Sequence, residues 1–309
     1  MSAPCWTASW TSWAVPPKRW TRGWTRGWTR GWMPDFPTSH CTTHLKTHLR
    51  IHPTSHTMNC SMHPDERAAR IELAACYRVF AMLGWDELIY NHITVRLPDS
   101  VTGGEKQFLI NPFGLHYEEV TASNLVRINV RGEVLDGSRH PVNPAGFVVH
   151  AAIHDGLPGA HCVMHTHTTS GMGVACLEQG LSQSNFYSAQ LHGMVAYHDF
   201  EGITIHADEG PRLLASIGRR KAVILRNHGL LSWGSDLPQA FVVLWTLQRA
   251  CDVQMATLSM GAPRMVSDAM AQRCNEDSLT FNASHGGARD VFDHLVRRVN
   301  RRDNSYLDL

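Results

Sequence analysis

The sequence predicts a layered α/β domain, and three observations predict it. From Pro64 onward, segments with a helical apolar period interleave with short alternating runs of strand type, the arrangement that stacks helices on a sheet. The 309 residues, 43% hydrophobic and 18% charged, suffice for one large or two small domains with a sizeable core. No apolar run reaches the roughly 18 residues of a membrane span.

Each element follows from its pattern. Asp65 is a cap candidate, followed by Ala68, Ile71, Ala75, Val79 and Met82 at helical spacing, and Gly84 closes that helix. His92 to Leu97, Gln107 to Ile110 and Val126 to Val130 alternate as strands, the last turning at Arg131-Gly132 into Val134-Leu135. Ala145 to His154 reads as a helix, Cys162 to Met164 as a short buried strand, Thr169 to Glu178 as a helix and Ile203 to Ile205 as a strand. Gly210 to Ser216 is helical, Ala222 to Leu225 and Leu230 to Trp233 are strands, and Leu237 to Met260 is a long helix. The stripe Leu237, Ala240, Phe241, Leu244, Trp245, Cys251 and Met255 gives that helix one apolar face, interrupted by Gln248 and Asp252. Residues 262 to 288 are polar and Gly-bearing, the composition of a linker, and Arg289 to Arg302 reads as a separate C-terminal helix.

Residues 1 to 57 differ abruptly. They hold seven of the ten Trp, with Thr-Arg-Gly-Trp repeated three times over 21 to 32, and Asp35 is their one acid. No helical or strand period runs through them, so the segment is expected to be a disordered low-complexity extension. His48 and His52 have the spacing of the histidine half of a zinc finger, but the paired Cys that a finger needs is missing, with only Cys41 nearby. An over-extended reading frame, with Met58 or Met62 as the true start, accounts for this composition. The formal charge of +1 excludes a strongly basic nucleic-acid binder. Eight cysteines form no C-x-x-C pair, and the N-terminus lacks the form of a signal peptide. The expectation is a cytoplasmic protein with reduced thiols, bound to neither nucleic acid nor membrane.

The chemically loudest feature is His165-Thr166-His167 directly after the apolar strand Cys162-Val163-Met164. On a strand, residues i and i+2 share a face, so two imidazoles can converge on one divalent cation. A third can come from His228 in Arg226-Asn227-His228-Gly229, where a strand ends and the chain must turn. Three histidines with an open water position form a catalytic-zinc pattern, although three imidazoles also suit manganese, iron, cobalt or nickel. The bland alternative is that strand-end histidines satisfy buried polar atoms. His150 and His154 share a helix face without the Glu of H-E-x-x-H, which reads as surface or core-edge histidine. His192, His198 and His206 fall near strand ends, and Glu118 beside Tyr117 follows the turn Asn111-Pro112-Phe113-Gly114. There is no G-x-G-x-x-G, Walker lysine motif or G-x-S-x-G, so dinucleotide, nucleoside-triphosphate and serine-esterase chemistries lack a warrant.

Several longer stretches stand out: Gly84-Trp85-Asp86-Glu87-Leu88-Ile89-Tyr90-Asn91-His92-Ile93-Thr94, Pro112-Phe113-Gly114-Leu115-His116-Tyr117, Val120-Thr121-Ala122-Ser123 and Val142-Asn143-Pro144-Ala145-Gly146-Phe147 with His150. With His165-Thr166-His167, Val195-Ala196-Tyr197-His198-Asp199 and Leu225-Arg226-Asn227-His228-Gly229-Leu230, and in this order, they resemble the class II aldolase/adducin domain. The resemblance implies a three-layer α/β/α domain over 58–265 with a largely antiparallel central sheet, followed by a linker and C-terminal helix over 266–309. It also implies a ring-like homotetramer with sites between neighbours. In the family's sugar-phosphate aldolases the metal-ligand positions match His165, His167 and His228, which implies a divalent metal, zinc by expectation, that polarises a small carbonyl substrate.

The departures from that pattern matter as much. The aldolases carry an acid four positions before the helix histidine that matches His150, and this chain has Gly146 there. Pro144 and Ala145 stand where two phosphate-binding serines would be, and Asn111-Pro112-Phe113-Gly114 replaces a threonine-bearing turn. Phosphate is therefore not an expected substrate group. These departures resemble the adducin branch, a cytoskeletal scaffold, whose head domain continues into a long basic tail; no polybasic run follows the core of this sequence. Two readings result: a metal-dependent lyase, aldolase- or decarboxylase-like, acting on a small hydroxy-carbonyl compound, or a non-catalytic adducin-like oligomeric binding module of the actin and cytoskeleton type. The retained triad favours the enzyme. For proton transfer the sequence offers Glu118, Tyr197 and His192.

Overall fold

A computed structural model describes residues 62–309 except 205, 285 and 287. The low-complexity extension, the finger-like His48 and His52 and the alternative start at Met58 lie outside the described residues.

Helix α1 (Pro64–Leu83) opens the domain. Its cap is His63 rather than the expected Asp65: the His63 ring nitrogen accepts from the Asp65 N–H at 3.2 Å, which leaves Asp65 and Glu66 in the first turn, where the helix dipole favours acids. Next come β1 (His92–Arg96), α2 (Asp99–Thr102), β2 (Gln107–Ile110), β3 (Val126–Asn129), α3 (Pro144–Gly156) and β4 (Cys162–Thr166). Then follow α4 (Thr169–Ala175), α5 (Phe186–Gln190), β5 (Val195–His198), α6 (Gly210–Ile217), β6 (Ala222–Leu225), β7 (Gly229–Gly234), α7 (Leu237–Met260), α8 (Asp268–Ser284) and α9 (Arg289–Asn300).

The strands form a mixed sheet in the order β3-β2-β1-β4-β7-β6-β5, antiparallel except for the β5–β6 pair. Alternation along β4 sorts its residues between two layers. Cys162 and Met164 enter an apolar core with α1, α7 and α9, built around Phe80, Phe241 and Phe292. Val163 packs the other way, with Val149 and Ile153 of α3 and Leu213 and Ile217 of α6. The fold is thus helix, sheet, helix, as expected.

The structure corrects two local expectations. Ile203 and Thr204 form a bend rather than a strand, and Ile205 lies outside the described residues. Ile203 is 75% exposed, and the strand that pairs in parallel with β6 comes earlier, at Val195–His198. The segment expected to be a linker contains α8, whose single buried residue is Ala271. A helix that buries one small side chain shows no apolar stripe; side-chain bonds hold this one, including Asn275 Nδ2 to the Gln190 carbonyl at 2.6 Å.

Candidate metal centre

The end of β4 and the turn between β6 and β7 build the site. His165 shares the parity of Val163, so it points toward the α3 layer, and His167 follows at the strand's exit. Their Nε2 atoms lie 2.8 Å apart. His228 arrives from the β6–β7 turn, where Asn227 has φ 56°, a left-handed conformation that costs most side chains energy and that Asn tolerates. One ligand atom from each of His165, His167 and His228 falls within 4.8 Å of the others, and these form the one such cluster among the described residues.

Local contacts fix this arrangement. The His165 Nδ1–H donates to the Leu230 carbonyl at 2.8 Å, which leaves Nε2 as a lone pair facing His167. The His167 backbone N–H donates to Asn91 Oδ1 at 3.0 Å, while Asn91 Nδ2 donates to the Trp85 carbonyl at 2.7 Å. Gly229 is required for a different reason: a Cβ there would stand 2.3 Å from the Thr166 carbonyl oxygen, so any side chain would push the turn off the strand that carries the other two histidines. Burial lowers the pKa of His165 well below the usual imidazole value, that of His167 to about 4, and that of His228 in the same direction. Three neutral imidazoles with two Nε2 atoms this close need either one shared proton or one cation between them. The donor set fits a divalent metal.

A cavity of about 600 Å³ opens beside the triad. His92, Gly146 and Val149 line it with the triad, and exposed Leu88, Tyr90, Met172, Phe200 and Ile203 form its apolar rim. Among the described residues no Lys or Arg lines it, and Glu87 is its one acid.

Of the sequence candidates, the structure brings His165, His167 and His228 together and leaves the other three outside this cavity. Glu118 is exposed in a turn of 3-10 helix over Tyr117–Glu119. The Tyr197 hydroxyl accepts from the Leu181 N–H at 3.0 Å, and its ring lies under the Arg226 guanidinium. His192 Nδ1 is paired with Gln183 Oε1 at 2.6 Å. His150 and His154, expected near the surface, are buried, and both bond Thr94 Oγ1 at 2.7 Å.

Sequence reasoning gave no role to Asn91, His92, Thr94 or Glu87. A signal was available for two of them. His92 and Thr94 occupy alternate positions on the strand face that points toward His150 and His154, a polar pair where a core strand would carry apolar residues.

Comparison with known proteins bears on this geometry. A family model described as the class II aldolase and adducin N-terminal domain matches residues 71–255. Alpha-adducin of Rattus norvegicus is 44% identical over 202 residues, which cover 64% of this chain and 27% of adducin. The crystal structure of an aldolase II superfamily protein from Pseudomonas syringae superposes with a TM-score of 0.75 at 36% identity, covering 80% of this chain and 98% of that one. L-fuculose 1-phosphate aldolase from Glaciozyma antarctica superposes with a TM-score of 0.66 at 26% identity, covering 76% and 90%.

Proposed function

The chain belongs to the class II aldolase and adducin family, and from that premise we propose that it is a metal-dependent carbon–carbon lyase, aldolase- or decarboxylase-like, acting on a small hydroxy-carbonyl compound that carries no phosphate. The observation that carries this reading is the convergence of His165, His167 and His228 beside a cavity large enough for such a compound. Zinc bound there would supply Lewis acidity, polarising a carbonyl and stabilising the negative charge left by bond cleavage.

The chain's own residues supply the rest. The Leu230 carbonyl orients His165, and Asn91 pins the backbone at His167, so the ligand geometry is set before anything binds. Val149, Leu225 and Phe113 give the cavity apolar walls that exclude water from the reacting carbon skeleton. The lack of Lys and Arg among its described lining residues supports a substrate without phosphate, which would need cationic or backbone partners. Glu118, Tyr197 and His192 stand elsewhere in the chain, so within one subunit proton transfer falls to a group that lines the cavity, and Glu87 is the carboxylate there. The exposed rim of Leu88, Tyr90, Phe200 and Ile203 is a surface that a neighbouring subunit of a homotetramer would cover, and sedimentation tests that assembly. Among the described residues no helix is long and apolar enough to cross a membrane, in keeping with a cytoplasmic site of action.

A second reading, an adducin-like binding module, is favoured by Gly146 at the acid position and by the identity with alpha-adducin. Elemental analysis separates the two. The full-length untagged chain is compared with a His165→Ala/His167→Ala variant. Near-stoichiometric zinc in the parent and its loss in the variant is the expected result. A folded parent that cannot be loaded with zinc, manganese, iron, cobalt or nickel would make the binding module the better reading.

A further inference from the structure

Position 146 is not simply empty. A Cβ built on Gly146 would lie 2.7 Å from Nδ1 and 2.8 Å from Cγ and Cε1 of His92, closer than real Cβ contacts come. The imidazole occupies the space through which any side chain at 146 would leave the backbone. An acid at 146 and a histidine at 92, held as it is here, exclude each other.

His92 is also placed for ligand contact. It pairs in register with His165, their ring centroids are 5.2 Å apart, and it lines the same cavity as the triad. It is 5% exposed, and its Nε2 is buried without a hydrogen-bond partner among the described residues. A buried orphan nitrogen is costly unless something bonds it. The Nδ1 side faces the Tyr90 carbonyl at 3.4 Å, an interaction that places the proton on Nδ1 and leaves Nε2 as an acceptor.

The adjoining layer carries the same polarity. The His154 Nδ1–H donates to the Ala160 carbonyl at 2.6 Å, so His154 Nε2 accepts from the Thr94 hydroxyl. Thr94 Oγ1 in turn accepts from the His150 Nδ1–H. The His150 Nε2 is then a second bare acceptor, also buried and unpartnered among the described residues, with its ring 4.3 Å from that of His92. Backbone carbonyls thus set the tautomers, and the wall beside the triad offers an uncharged acceptor at His92, with His150 behind it.

We propose that His92 takes the place of the acid that position 146 lacks, its Nε2 accepting the hydrogen of a substrate hydroxyl that neighbours the carbonyl at the triad. The substrate class narrows accordingly. A hydroxyketone or hydroxyaldehyde satisfies the orphan nitrogen, whereas a keto acid would set a carboxylate oxygen against a lone pair. This inference rests on the reading of the triad as a metal site, and the test separates the two.

The test has two parts. In the metal-free full-length chain, Gly146→Ala is expected to lower the melting temperature by about 5 °C, as overpacking does. The same change in a His92→Ala background is expected to cost little, because the obstructing ring is gone. Equal losses in both backgrounds would overturn the spatial exclusion. In the zinc-loaded chain, calorimetric titration compares hydroxyacetone with pyruvate. The parent is expected to favour hydroxyacetone; His92→Ala should weaken hydroxyacetone about tenfold, the loss of one hydrogen bond that leaves a buried partner unpaired, while zinc content stays the same and pyruvate, relieved of the opposing lone pair, binds more tightly. His92→Gln, whose amide oxygen can reach a similar position, should restore part of the loss. Unchanged hydroxyacetone binding in zinc-loaded His92→Ala would overturn the contact. Failure of the parent to take zinc would overturn the triad reading and the substrate contact with it, while the coupling between positions 92 and 146 would still report the exclusion.

Discussion

The two faces of one sheet divide the labour of this molecule. Beneath α1, α7 and α9 the sheet is mostly apolar, with Phe80, Phe241 and Phe292 fully buried or nearly so and the Ser232 hydroxyl satisfied by the Ala240 carbonyl of α7 at 2.8 Å. Toward α3 the same strands present His92, Thr94 and His165 to His150 and His154, a buried polar layer whose edge lines the cavity. Strand β4 feeds both, Cys162 and Met164 one way, Val163 and His165 the other. The difference teaches that stability is concentrated on one side, which frees the other to hold a concentration of buried imidazoles that no fold would keep for packing alone.

Acid should separate the faces most. Burial depresses the pKa of His92 to about 3 and that of His154 to about 4, while in the unfolded chain both titrate near 6.5. Between pH 6.5 and 4 the unfolded state therefore binds protons that the folded state refuses, so stability falls as pH falls, by on the order of 5 kcal/mol for the two together. The apolar face answers to alkali instead: burial raises the thiols of Cys76 and Cys162, which makes unfolding easier as pH rises above 9. Denaturant titrations of the metal-free chain at pH 7, 5.5 and 4.5 measure the acid arm. A flat response there would mean that the histidine layer admits water and protons without unfolding.

Phe241→Ala sharpens the contrast from the other side. Phe241 packs its ring 5.6 Å from Phe292 and 6.2 Å from both Phe80 and Trp85, with no exposure. The cavity left behind should cost about 3–5 kcal/mol, read as a shift of the denaturation midpoint, while the zinc affinity of the folded fraction stays the same. A fall in zinc affinity would mean that the two faces are coupled through the sheet.

What could be read in advance follows the same division. The apolar face was legible, because α1, α7 and β4 declare themselves by one-sided periodicity, a property of neighbours along the chain. Among site residues, the His165 and His167 pair was legible because strand alternation is local, and His228 was a candidate from its place at a strand-end turn, to which the family resemblance added a matching position. His92 was not, since its role depends on the β1–β4 register and on the missing side chain at position 146, 54 residues away in sequence by the difference of their numbers. Glu118, Tyr197 and His192 have chemistry suited to proton transfer and lie on short loops and strand ends, but nothing in local pattern says which cavity such residues will face. Helix α8 escaped because it buries only Ala271 and so has no stripe to show.

Within the polar layer, Thr94→Val tests how much its hydrogen bonds contribute. The substitution keeps the shape of the side chain but removes the hydroxyl that bridges His150 Nδ1 and His154 Nε2. Both nitrogens would be left buried and unpaired, at a cost of about 2 kcal/mol in all, at the low end of what two such groups can lose. Chemical denaturation measures it. A neutral result would mean that the two histidines re-pair with each other or with water, and that their tautomers are not set by Thr94.

The smallest expected effect lies at the turn that carries His228. Asn227 is exposed and holds φ 56°, so glycine would relieve the backbone strain there and at the same time widen the conformations open to the unfolded chain. The two contributions nearly cancel, and Asn227→Gly should change stability by less than about 1 kcal/mol. Its effect on zinc should have a definite sign, because a turn with freer torsions holds His228 less firmly against His165 and His167. A zinc affinity several-fold weaker at unchanged stability would mark Asn227 as a positioning residue, its strained conformation directed at the site. Equal affinity would mean that the backbone bonds of the turn, Arg226 N–H to the His198 carbonyl at 2.8 Å and Asn227 N–H to the Ala175 carbonyl at 3.1 Å, already fix His228 without help from the residue before it.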